Sequence, residues 1–223
     1  PLFKRGWRED KGDAPLKETL AAAMLAATGW TPDVPLYDPC CGSGTIAIEA
    51  AQIACHIPPG LLRRFAFSNL VEFQPVEWQR LLSEAKSRVV MPPAGTAPLV
   101  FGSDVSFRMV DFAQRNAQRA GVAGVISFRG GDALQRMPPI EGGGVMLLNP
   151  PYGERIGEVR DLVPTYREFG DRLRSLCGGY EVAIFSGNEE LTKQLYLEKM
   201  RHLPLKNGAI DCEIIQGILP EAT

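Results

Sequence analysis

Leu36-Tyr37-Asp38-Pro39-Cys40-Cys41-Gly42-Ser43-Gly44-Thr45, continuing through Ile46-Ala47-Ile48-Glu49-Ala50-Ala51-Gln52-Ile53-Ala54, is the stretch that decides the fold. Residues 35–38 read as a short strand and 44–55 as a helix rich in Ala and Ile, so Gly42 and Gly44 fall in a strand-to-helix turn. Glycine there admits positive φ and lets a ligand come close to the backbone. The helix amino terminus behind it aims unpaired N–H groups at that ligand. A tight turn with no ligand reads the same in isolation. Two common ligand classes fit poorly. The dinucleotide pattern G-x-G-x-x-G wants a third glycine where Ala47 stands, although some variants accept alanine there. A phosphate loop wants Gly-Lys-Ser/Thr, which does not follow. Asp38, just before the glycines, repels a pyrophosphate and attracts an ammonium group. A ligand with a methionine-like moiety is therefore favoured over NAD.

A second stretch is as specific. Gly144-Val145-Met146-Leu147-Leu148 reads as a buried strand and delivers Asn149-Pro150-Pro151-Tyr152. Two prolines stop the strand and stiffen the backbone at its carboxyl end. The Asn149 side-chain carbonyl and the adjacent backbone carbonyl can accept hydrogens from an NH2 group, and the ring can stack on a flat face. Asn-Pro is also an ordinary turn pair, and Pro-Pro ends strands that have no such role.

Together, Asp-Pro-Cys-Cys-Gly-Ser-Gly-Thr and Asn-Pro-Pro-Tyr-Gly-Glu-Arg resemble the class I S-adenosylmethionine-dependent methyltransferases. Within them the chain is similar to the THUMP-associated guanine-N2 methyltransferases of 23S ribosomal RNA and tRNA, from Lys4-Arg5-Gly6-Trp7-Arg8 to Asn207-Gly208-Ala209-Ile210-Asp211-Cys212. The resemblance implies an α/β fold, a Rossmann-like doubly wound sheet of seven strands, mostly parallel with an antiparallel strand in a C-terminal hairpin. It implies S-adenosylmethionine as cofactor, held by Thr19, Asp38, Pro39, Cys40, Gly42, Gly44, Thr45, Asp104, Asp132, Ala133 and Asn149. Asn149, Pro150, Pro151 and Tyr152 become the catalytic loop, and a guanosine 2-amino group in structured RNA, ribosomal before tRNA, becomes the acceptor. Adenine, cytosine and protein-glutamine methyltransferases share the Asn-Pro-Pro-Tyr loop. A degenerate RNA-holding scaffold and a nicotinamide dehydrogenase are the readings from other classes.

The rest of the chain extends outward from these two loops. An arm and a helix, 16–28 with Gly29 closing it, occupy 1–30. Lys4–Arg8 is basic: the charges either touch RNA or are solvated, with Trp7 packed on the domain. In the resembling family the stretch holding Thr19 lies over the cofactor pocket, and Thr19 falls too far inside the helix for a simple cap. Residues 57–97, with a helix near 77–89, read as an insertion within one domain of 1–223, as in that family. Arg63 and Arg64 there either meet phosphates or form a surface pair. Strand 99–101 leads to Asp104, and helix 106–120 follows with Gly121 behind it. Strand 125–128 leads to Asp132. Carboxylates at strand ends bind ribose hydroxyls and an adenine amino group, and each is also an ordinary helix N-cap. Helix 161–176, strand 181–186, helix 188–197 and a hairpin of 200–205 with 210–218 around Asn207-Gly208 complete the pattern.

Composition sets bounds. The 223 residues carry 24 basic and 26 acidic side chains and a net charge of −2. That balance is unusual for a self-sufficient RNA binder, so weak RNA affinity is expected of these residues alone. The resembling family answers with a separate THUMP domain, not visible here, and Pro1 without a preceding Met is expected of a piece of a longer polypeptide. No signal peptide and no apolar run of membrane-spanning length is present. Five cysteines argue against a secreted disulfide framework, and no Cys/His spacing matches a zinc site. A cytoplasmic enzyme with no membrane association is the expectation.

Overall fold

In a computed structural model, residues 1–12, 15–131, 143–150, 156–207 and 210–220 are described, with backbone only at 156–158, 207 and 210. The elements are α1 (Glu18–Thr28), β1 (Leu36–Asp38), α2 (Thr45–Ala54), α3 (Pro75–Ser87), β2 (Val100–Asp104), α4 (Phe107–Arg119), β3 (Ile126–Gly130), β4 (Val145–Leu148), α5 (Ile156–Leu176), β5 (Glu181–Ser186), α6 (Glu189–Thr192), β6 (Glu198–Asn207) and β7 (Ile210–Ile218). Seven strands form one sheet in the order β3-β2-β1-β4-β5-β7-β6. β3 to β5 pair in parallel, and β7 runs antiparallel to both β5 and β6. The doubly wound sheet and its antiparallel C-terminal strand are as the sequence implied.

Strand alternation builds two cores. Leu36, Val145, Leu147, Ala183 and Phe185 face α1, α2 and α4, while Tyr37, Met146, Leu148, Val182 and Ile184 face α5. Successive residues point to opposite faces of a strand, so the unbroken apolar run Val145–Leu148 is what a strand covered on both sides needs. Tyr37 Oη and Ser103 Oγ, 2.6 Å apart, tie β1 to β2 inside this core. No described helix is long and apolar enough to cross a membrane.

Three boundaries differ from the sequence reading. α1 begins at Glu18 rather than 16, so Thr19 is its second residue and not deep inside it. α5 begins at Ile156, five residues before the expected start, and runs through Pro164. The expected helix 188–197 is a single turn capped by Asn188, whose Oδ1 accepts from the Glu190 and Leu191 amides, then a 3₁₀ turn over 193–195. Its brevity follows from burial: Leu191, Leu195 and Leu197 all enter the α5-side core, and Tyr196 turns left-handed at φ 50° to lead into β6. The segment 57–97 holds a 3₁₀ turn and α3 and no strand, and it lies between α2 and β2.

Candidate active site

The chain moves outward from β1 through β2 to β3, then returns to pair β4 on the other side of β1. Such a switch point opens a crevice at the carboxyl ends of the strands. Tyr37 pairs with Met146. Asp38 lies one residue beyond that rung on β1, and Asn149 lies three beyond it after β4. The two residues therefore stand at the same edge, one on each side of the switch.

The glycine loop is tied down from beneath. Asp38 is 1% exposed, and its Oδ1 accepts the Cys40 amide at 3.1 Å. Asp104, at the end of β2, accepts the Gly42 amide on Oδ2 and the Ser106 amide on Oδ1, both at 2.9 Å. The cap of α4 is Ser106, which accepts from Met109, so Asp104 is a loop clamp and not a helix cap. A carboxylate has lone pairs for about four donors, so Asp104 retains capacity for a ligand. Gly42 and Gly44 adopt φ of 52° and 88°, the left-handed conformations expected of them. Their surroundings differ. A Cβ on Gly42 would meet nothing within 4 Å, whereas one on Gly44 would lie 2.9 Å from Ala113 Cβ and 3.1 Å from Phe128 Cζ. Gly44 therefore lets α4 and β3 close under the loop, and Gly42 leaves open space above it.

The remaining predicted residues divide. Pro39 and Pro150 are buried, and Cys40 is half-buried. Burial, with Asp38 and Asp104 nearby, raises the Cys40 and Cys41 thiols, so neither is a ready thiolate. Thr45 is 5% exposed, and its hydroxyl accepts from Arg8 at 2.7 Å, which turns it toward the arm. Thr19 is exposed in the first turn of α1. Asp132, Ala133, Pro151 and Tyr152 lie outside the described residues. Asn149 supplies the sharpest observation. Its Oδ1 is buried and has no hydrogen-bond partner among the described residues.

Two features escaped the sequence reading. Val105 and Phe107, 75% and 72% exposed, follow Asp104 in the turn from β2 to α4. Phe107 lies across the end of β3, where a Cβ on Gly130 would fall 2.4 Å from its Cδ1. The signal was present as two large apolar side chains in a strand-to-helix turn, where polar residues are usual. The other is how the arm's two arginines are held, while Lys4 stays exposed. Arg5 makes a two-pronged pair with Glu49 at 3.0 Å, and Arg8 Nε lies 3.1 Å from Glu18 Oε1. Asn116 of α4, fully buried, donates to the carbonyls of Asp10 and Ser43 and so fastens both arm and glycine loop.

Burial raises the Asp38 carboxyl to about 8 from 3.8, with the negative Asp104 adding and the Cys40 amide opposing. The folded protein then holds a proton on Asp38 that the unfolded chain has lost between those values. Stability from this group is full below pH 3.8 and falls as pH rises towards about 8. Asp38→Asn, which cannot ionise, is expected to gain melting temperature relative to the parent as pH rises through that window. Paired thermal scans of the two proteins from pH 4 to 9 measure it, and a constant gap would remove the assignment.

The UPF0020 family, the RMKL-like methyltransferase domain, matches residues 5–216. The chain belongs to that family. This methyltransferase domain is 45% identical over 213 residues to the Ribosomal RNA large subunit methyltransferase K/L of Shewanella loihica (strain ATCC BAA-1088 / PV-4), an overlap of 95% of this chain and 30% of that protein. The domain thus spans about 30% of the length of that curated relative. Among solved structures, SMU.472 complexed with SAH superposes with a TM-score of 0.85 at 30% identity, over 100% of this chain and 57% of that one. A Listeria monocytogenes (str. 4b F2365) protein described as a predicted N6-adenine-specific DNA methylase gives 0.84 at 32%, over 98% and 55%.

Proposed function

We propose that this domain transfers a methyl group from S-adenosylmethionine to the exocyclic 2-amino group of a guanosine in large-subunit ribosomal RNA, in the cytoplasm. The observation that carries the reading is the buried Asn149 Oδ1, without a hydrogen-bond partner among the described residues, at the same sheet edge as Asp38. An acceptor held out of water and given no partner costs about 1–3 kcal/mol, and a substrate N–H offsets that cost.

The crevice residues fit the donor. Gly42 leaves room above the loop, and Asp38 and Asp104 suit a cation better than a phosphate, with a bound ammonium favouring the ionised form of Asp38. Asp104 accepts ribose hydroxyls, Val105 and Phe107 cover the adenine face, and Asp132 with Ala133 takes the adenine edge. Thr19 and Thr45 bound the pocket from α1 and α2. Bound there, S-adenosylmethionine supplies an electrophilic methyl on a sulfonium centre. The protein's part is positioning and electrostatics. A guanine amine is a poor nucleophile because its lone pair is delocalised into the ring. Asn149 Oδ1 and the Pro150 carbonyl accept its two hydrogens and favour a pyramidal nitrogen with the lone pair free. Pro151 stiffens the loop, and Tyr152 stacks on a base swung out of its helix. Water takes the amine's proton.

The SAH complex of SMU.472, over the whole of this chain, supports the cofactor, and the name of the Shewanella relative supports the RNA. The test is transfer of labelled methyl to 23S rRNA followed by nucleoside analysis. N2-methylguanosine is expected. A product confined to N6-methyladenine, from RNA or DNA, would replace this reading with the adenine-directed one that the Listeria relative's description favours.

A further inference from the structure

The insertion sits away from the crevice. α2 carries the chain from the glycine loop to Ala54, and the chain re-enters the sheet at Val100, the first residue of β2. Residues 57–97 are therefore rooted at the opposite edge of the sheet, a ten-residue helix or about 15 Å from the loop. α3 buries no residue. The segment carries four rings in contact instead. Phe65 and Phe67 stack at 5.1 Å with 18° between planes, Trp78 meets both edge-on at 5.5 and 5.0 Å, and Phe73 lies 5.9 Å from Phe67. With Arg63 and Arg64 they line a cavity of about 380 Å³.

The cavity is shaped by the sequence around it. A Cβ on Gly60 would fall 2.6 Å from Phe65 Cζ, so only glycine leaves that ring its place. Ser68 Oγ donates to the Phe65 carbonyl at 2.7 Å and fixes the turn. The Arg63 guanidinium lies 4.7 Å over the Phe65 ring and donates to the Pro1 carbonyl, while Arg64 is exposed. Among the described residues, no acidic side chain lines the cavity. Two acids of α3 are engaged elsewhere, Glu77 with Arg80 and Glu84 with Arg80 and Arg88. In a chain of net charge −2 this is a local positive site on an aromatic floor. Rings that stay in solvent, with Phe67 38% exposed, forgo burial that a ligand can restore.

We propose that this cavity is a second RNA site, in which an unpaired base stacks on Phe67 beside the perpendicular Trp78 while its phosphates meet Arg63 and Arg64. The proposal rests on RNA being the substrate. It adds a grip at the far edge of the domain, so that the enzyme reads a folded RNA across the molecule and not only the base at Asn149. Stacking on an aromatic face is tolerant of base identity, and arginine supplies the phosphate contact.

The test uses the complete polypeptide. The probe is a single-stranded oligoadenylate of about ten nucleotides carrying 2-aminopurine, whose fluorescence falls when it stacks. The parent is expected to quench it. Phe67→Leu, which keeps an apolar side chain but no π face, is expected to weaken binding about tenfold. The same variant raises KM for 23S rRNA by a similar factor and leaves kcat and S-adenosylmethionine affinity unchanged. Phe67→Tyr restores both. Arg64→Ala lowers the slope of log affinity against log salt by about one. If Phe67→Leu quenches and binds like the parent, the proposal is overturned. It is equally overturned if the variant leaves RNA binding intact but loosens contact with another domain or protein in sedimentation. Should Phe67→Leu fail to bind S-adenosylmethionine, it is misfolded, and the Arg64→Ala slope decides. Failure of the parent to methylate RNA would sink the enzyme reading and leave the quenching result standing.

Discussion

Asn149→Ala is expected to turn over at least about 10²-fold more slowly than the parent while binding S-adenosylmethionine equally well, the size of loss seen when a preorganised electrostatic group is removed. The structure adds a second expectation of opposite sign. Asn149 Oδ1 is buried without a partner among the described residues, so its removal deletes a group that costs about 1–3 kcal/mol to bury. The variant should melt no lower than the parent. An asparagine retained as a cap or turn residue would behave the other way, losing stability and leaving kcat alone. Steady-state kinetics on 23S rRNA beside a thermal scan separates the two. Full turnover by a destabilised Asn149→Ala would place the residue in the scaffold and remove it from the chemistry. A residue that lowers stability and serves the reaction is the pattern expected where function is selected over folding.

The glycine loop was legible because its information is local. Strand, φ-permissive turn and helix are contiguous from Leu36 to Ala54, and the two positive φ values fall on the two glycines that called for them. Asp104 was legible for the same reason, as an acid at the end of an apolar strand. The strand order rested on the resemblance, because β1 meets β4 across more than a hundred residues of chain and no local pattern encodes that pairing. The helix expected over 188–197 failed because helix periodicity also fits leucines that are buried one by one as the chain turns into β6. In the arm, exposed Lys4 and packed Trp7 were legible, and the two arginines were not, for a related reason. Their charges look solvated in sequence, and Glu49 and Glu18 become their partners only after α1 and α2 pack. Exposed Val105 and Phe107 are not told apart in sequence from apolar turn residues that pack inward.

That arm leads to the other large effect. Arg8→Ala is expected to lower the unfolding free energy by about 3–5 kcal/mol, the usual result of removing one partner of a buried ion pair. For a domain of this length the melting temperature then falls by roughly 6–20 °C. The argument is one of stranded groups. The Arg8 side chain is 12% exposed and that of Glu18 only 4%. Burial lowers the Arg8 pKa while Glu18 opposes the shift, so each charge depends on the other. Nη2 also donates to the Leu16 carbonyl at 2.8 Å and to Thr45 Oγ1 at 2.7 Å. Alanine leaves the buried Glu18 carboxyl without its partner and takes away a donor from the first residue of α2. Lysine keeps the charge but lacks the planar fork that reaches Leu16 and Thr45 while facing Glu18, so Arg8→Lys should recover only part. The paired change Arg8→Met with Glu18→Leu removes both charges, and most of the lost stability is expected to return. Because Thr45 follows Gly44 directly, Arg8→Ala should also weaken S-adenosylmethionine binding, and the paired change, still without a donor to Thr45, should not restore it. Thermal denaturation with donor titration on the four proteins reads both effects, and an Arg8→Ala protein melting within a degree of the parent would show the arm to be an appendage rather than a clamp on the glycine loop.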